Sequence, residues 1–170
     1  MKKLILLAIF AMVAIGSVNA QGFKAGVNVG VPIGDAGDFY TFELGLDVAY
    51  TWSIAENFSA GFATGYQNYF GEDFEGSSGD ADVSAELADA SFIPIMATGK
   101  YVFNGGVFVA ADLGYSLNVS DNASEGAFTY MPKVGYDTEM IEFFAFYRSL
   151  TKNGSSLDTF GVGAAYKFQM

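Results

Sequence analysis

Residues 42–52 read Phe-Glu-Leu-Gly-Leu-Asp-Val-Ala-Tyr-Thr-Trp. Phe42, Leu44, Leu46, Val48, Tyr50 and Trp52 fall on one parity, and Glu43, Gly45, Asp47, Ala49 and Thr51 on the other. A period of two over eleven residues is the signature of a β-strand with one apolar and one polar face. The rhythm continues outward in both directions. It predicts strands at 23–31, 58–70, 92–103, 107–119, 127–136, 140–149 and 159–168. With 42–52 that makes eight, an even number. The connections alternate long and short: 32–41, 53–57, 71–91, 104–106, 120–126, 137–139 and 150–158. Such alternation is expected of an antiparallel up-and-down barrel with tight turns at one rim and longer loops at the other.

Alternation alone fits two barrels, and side-chain volume separates them. The interior of an eight-stranded barrel is just wide enough for side chains. The apolar parity is dominated by Phe, Tyr, Leu, Ile and Val, and the other by glycine, alanine and small polar residues. The bulky set is therefore expected to face lipid and the small set the lumen. The opposite arrangement, a soluble lipocalin-like barrel around a ligand, is the rival. Charge placement favours the first: Lys24, Lys100, Lys133, Arg148 and Lys167 share the small parity with Glu43, Asp47, Asp112 and Glu142, while Lys152 falls in a loop. On a lipid face each charge would cost about 2–4 kcal/mol at midplane. The nine are expected to form a polar network in the lumen. Tyr50, Trp52, Phe58, Tyr101, Phe103, Tyr136, Tyr166 and Phe168 gather near the short-turn rim, where an aromatic girdle would meet lipid headgroups. Pro94 and Pro132 each remove a ladder donor inside a predicted strand, which water or a bulge would have to offset.

The first twenty residues read as an address. Lys2 and Lys3 precede an apolar run from Leu4 to Ile15, and small residues lead to Ala20. This is the pattern of a cleaved secretory signal peptide, leaving 21–170 as a single barrel domain. Loss of its two lysines takes the net charge from −11 to −13. So acidic a chain offers little to nucleic acid, which needs basic patches. The sequence holds no cysteine and no histidine. Disulfides, thiolate metal sites, Ser-His-Asp chemistry and the usual zinc sites are thereby excluded.

With these features the chain resembles the small Gram-negative outer-membrane β-barrel proteins of the OmpA/OmpX-like class, and in particular the porin-like barrels of Bacteroidota. The resemblance rests on the leader, on Phe92-Ile-Pro-Ile-Met-Ala-Thr-Gly-Lys-Tyr101 and on Gly161-Val-Gly-Ala-Ala-Tyr-Lys-Phe168. It implies an eight-stranded transmembrane barrel in the outer membrane, with membrane lipid and the barrel-assembly machinery as partners. Barrels of this class usually end on an aromatic residue that the machinery is thought to read. Here Gln169 and Met170 follow Phe168.

Chemistry is sparse. The four carboxylates of the small parity could pair for acid–base work, but five cations on the same face make a salt-bridge network the expected arrangement. In the 71–91 segment, Asp80, Asp82, Ser84 and Glu86 have the odd spacing of a calcium loop. Position six is Ala85 rather than glycine and position twelve is Ser91 rather than glutamate, so a solvated acidic loop is expected. The expectation is a monomeric barrel without cofactor, metal or enzymatic activity. It would have a plugged polar lumen and act as a structural or surface-interaction protein through its acidic loops, with 71–91 as the surface a ligand would meet. A narrow channel for small solutes and a soluble lipid-binding barrel are the alternatives.

Overall fold

The computed structural model describes residues 22–78, 81–86, 88–120 and 126–168, with backbone alone over 73–78 and 81–86. The leader, Asp80 of the candidate calcium loop, and Gln169 and Met170 lie outside the described residues.

Among the described residues, eight antiparallel strands close into a barrel: β1 (Phe23–Ile33), β2 (Tyr40–Ala55), β3 (Phe58–Gly71), β6 (Ala90–Val102), β7 (Val107–Asn118), β8 (Ala127–Asp137), β9 (Ile141–Lys152) and β10 (Ser155–Lys167). Each barrel strand pairs with the next barrel strand along the chain, β3 pairing with β6 across the 71–91 connection, and β10 returns to β1. Closure leaves no edge, so the ladder uses up the wall's backbone donors and acceptors without a helix. The wall faces as the volume argument requires. Val27, Val29, Leu44, Leu46, Phe62, Leu113, Phe143 and Val162 are all exposed on the outside. This is the reverse of a lipocalin-like barrel.

Three features differ from the sequence reading. The 71–91 connection is not featureless. It contains a separate hairpin of β4 (Asp73–Ser78) and β5 (Ala81–Glu86). The 150–158 connection is a two-residue turn, with β9 running to Lys152 and β10 starting at Ser155. Asn153 (φ 51°) and Gly154 (φ 87°) occupy it, and Asn-Gly supplies the left-handed backbone that a tight hairpin needs. The prolines produce no bulge. The β3–β6 register skips two pairs around Pro94, and the β8–β9 register skips two around Pro132, yet both resume in phase. On their other sides Pro94 still pairs with Ser116 and Pro132 with Ala111. Each proline thus interrupts one ladder and leaves the other intact.

The lumen is not lined by small residues alone. Phe108, Met131, Phe144 and Phe146 pack together inside. Glycines on facing strands make room for the rings. A Cβ on Gly163 would stand 2.5 Å from the Phe144 ring, one on Gly161 2.5 Å from Phe146, and one on Gly135 2.8 Å from Phe108. Overpacking of this kind typically costs about 1–3 kcal/mol. Gly161→Val is therefore expected to lower the stability of the folded barrel by that amount in a urea titration, with Val162→Ala on the outer face as a milder comparison.

Candidate functional site

The residues that carry charge lie on the inward parity of their strands, and the barrel brings them into three tiers. At the short-turn end, Lys24 of β1 donates to Glu142 Oε2 at 3.0 Å. Lys100 of β6 donates to Glu142 Oε1 and, at 2.8 Å, to Asp137 Oδ2. Lys167 of β10 donates to Asp137 Oδ1. In the middle tier Lys133 of β8 pairs with Asp112 of β7, and Asn28 of β1 donates to Asp47 of β2. The rings of Phe108 and Phe144 sit under the ammoniums of Lys100 and Lys133, at 5.3 Å and 5.5 Å from the ring centres.

The third tier is fully enclosed. Arg148 of β9 forms an ion pair with Glu43 of β2, and both side chains are 0% exposed. The guanidinium stacks over Phe146 at 4.8 Å and reaches Met131 Sδ at 3.3 Å. Low dielectric strengthens this pair, but desolvation of both ions offsets much of the gain. Beyond it, toward the loop rim, lies an apolar layer of Tyr69, Ala90, Phe92, Ala127 and Leu150, with Tyr40 and Leu157 packed against it. Tyr69 is wholly buried and accepts from Thr159 at 3.4 Å. The described lumen residues thus pass from a charged mouth to a mostly apolar layer, in register with the buried polar side chains of Gln67, Ser116 and Thr129.

All nine residues of the sequence-derived polar set point into this interior. The sequence reading missed Asp137, which binds two lysines, and Asn28, which holds Asp47. Asp137 is in phase with Lys133 and Gly135, so extending the alternation one step beyond 136 would have found it. With Asp137 included, the lumen holds five cations and five carboxylates among the described residues. Its charge cancels, and the excess negative charge belongs to the rims and loops.

The eight aromatic residues assigned to the girdle, Tyr50, Trp52, Phe58, Tyr101, Phe103, Tyr136, Tyr166 and Phe168, are all exposed on the outside of the short-turn end. Several touch: Tyr101 and Phe103 at 5.0 Å between ring centres, Tyr166 and Phe168 at 5.1 Å, and Phe168 and Phe23 at 5.3 Å.

No protein-family model matches the chain, and no curated protein matches it. Solved structures do. A de novo designed transmembrane β-barrel superposes with a TM-score of 0.54 at 13% identity, over 87% of this chain and 96% of that one. The outer membrane protein Ail of Yersinia pestis, in a phospholipid bilayer nanodisc, gives 0.52 at 15% identity, over 86% and 99%. The N-terminal β-barrel domain of OprF from Pseudomonas aeruginosa gives 0.50 at 14% identity, over 87% and 98%. At these identities the likeness is one of fold: the closed eight-stranded antiparallel barrel of outer-membrane proteins.

Proposed function

We propose that the chain is a non-catalytic outer-membrane protein. In this reading it is a monomeric barrel with a blocked lumen, presenting its longer, acidic connections outside the cell as a structural or surface-interaction element. The short turns would face the periplasm, the orientation usual for such barrels. The observation that carries the blocked lumen is the enclosed Arg148–Glu43 pair beneath the apolar layer of Tyr69, Phe92 and Leu150. The exposed apolar wall and the aromatic band at its short-turn end support the membrane setting. The partners would be outer-membrane lipid, the assembly machinery and a surface ligand of the 71–91 connection.

Two measurements test this. The protein is expected in the outer-membrane fraction, migrating as a compact band without boiling and as a slower band after it. Recovery as a soluble periplasmic pool would overturn the membrane reading. In planar bilayers the purified barrel is expected to show no discrete conductance steps. Steps altered by Lys100→Ala or Glu43→Ala would support a narrow channel instead.

A further inference from the structure

The ions at the short-turn mouth form an open chain, Lys24–Glu142–Lys100–Asp137–Lys167, and both ends of the chain are cations. Both oxygens of each carboxylate are engaged by lysines. The three ammoniums carry three N–H donors each, and the carboxylates take four of these, so five stay uncommitted to that chain. Taken alone this chain of ions is one positive charge in excess, and the surplus carboxylate that balances it in the lumen as a whole, Asp47, lies in the next tier and is held by Asn28.

The two terminal lysines are also direct neighbours. Lys24 of β1 stands opposite Lys167 of β10 in the ladder. Directly opposed residues in an antiparallel pair have Cα atoms about 4.5–5.5 Å apart, and like charges there are destabilising. Glu142 and Asp137 each neutralise one of the two, but they are themselves shared with Lys100. All five ionic groups line one cavity of about 430 Å³ inside the short-turn rim, to which Thr51, Ser53 and Ser59 also contribute.

We propose that this cavity is a binding site for a small oxyanion, which bridges Lys24 and Lys167. One bound anion closes the open chain into a ring of alternating charge. It relieves the repulsion across the β1–β10 seam and takes donors from both terminal ammoniums, while serine or threonine hydroxyls can donate to its remaining oxygens. Phosphate and carboxylate share this chemistry. The site is assigned to a soluble ion, because its lysines point into the lumen and are mostly buried, away from the outer wall.

Calorimetric titration of the full barrel with inorganic phosphate tests the proposal. The protein is folded in maltoside micelles, which carry no phosphate, and ionic strength is held constant with sodium chloride. One saturable site per barrel is expected. Lys24→Gln and Lys167→Gln are each expected to weaken it about tenfold or more, the loss of a charge-assisted hydrogen bond. Unboiled gel migration reports that each variant is folded. Ser59→Asp leaves every lysine in place and supplies a carboxylate to the cup, so it is expected to abolish phosphate binding without unfolding the barrel. Absence of saturation, a response that chloride reproduces, or phosphate affinity unchanged in these folded variants would overturn the proposal. Loss of phosphate binding in nanodiscs containing phosphatidylglycerol would overturn the assignment to a soluble ion in favour of a lipid headgroup.

Discussion

Arg148→Met is expected to destabilise the barrel by about 3–5 kcal/mol, the cost of leaving a buried charge without its partner. Arg148 and Glu43 are both fully enclosed, and Arg148 is the cation that faces Glu43. Removing it leaves the Glu43 carboxylate enclosed in the barrel without its cation. The double variant Glu43→Gln/Arg148→Met is expected to recover most of the loss, since an apolar replacement of a whole buried pair is often neutral or stabilising. Urea unfolding of the protein folded in lipid or detergent measures both. A change within about 0.5 kcal/mol for the single variant, the range usual for surface positions, would mean that water reaches the pair. The lumen would then not be blocked at this level.

The second large effect separates a lipid-facing wall from a wall in water. Val162 lies at the middle of β10 and is 57% exposed. In a bilayer, Val162→Arg is expected to cost about 2–4 kcal/mol, because an arginine at the hydrocarbon midplane is poorly solvated. Ile54→Arg, at the short-turn end of β2, is expected to cost about 0–1 kcal/mol, because the interface lies within reach of the side chain. The difference between the two positions, rather than either value, reads the depth profile. Equal and negligible costs in liposome-folded protein would place the wall outside hydrocarbon.

Most of the barrel was legible because its strands carry their faces in their parity. Residues 42–52 alone fix the period, and the volume of an eight-stranded interior then fixes which face looks out. The structure departs where that argument was too coarse. It assumed a lining of small residues, but Phe108, Phe144 and Phe146 are inside. Their parity already placed them there, and glycine stands directly across from each: Gly135 opposite Phe108, Gly163 opposite Phe144 and Gly161 opposite Phe146. Large and small residues share the width between adjacent strands, so an average over one face conceals the packing. The β4–β5 hairpin was illegible for a different reason. Residues 73–78 read Asp-Phe-Glu-Gly-Ser-Ser, which have no apolar face to alternate. Asp137 was lost to a strand end placed one residue short, and the Asn153-Gly154 turn to one strand ended too early and the next begun too late.

The long-range ion pairs have a bearing on how the barrel shuts. The β1–β10 seam joins strands from opposite ends of the described barrel, so its pairing carries a high loop-closure cost. Outward residues along it read Val27, Val29 and Val31 against Ala164, Val162 and Phe160, with Asn28 and Gly30 facing Gly163 and Gly161 inside. A slip of two residues keeps every apolar side chain outside and every small one inside, so hydrophobic matching barely detects it. Such a slip moves β9 relative to β2 by about 6–7 Å, two strand rises. Glu43 and Arg148 then miss one another, and so do Lys24 and Glu142. The geometry of these pairs thus distinguishes the correct register from one that hydrophobic matching alone would accept, whatever they add to the depth of the correct state.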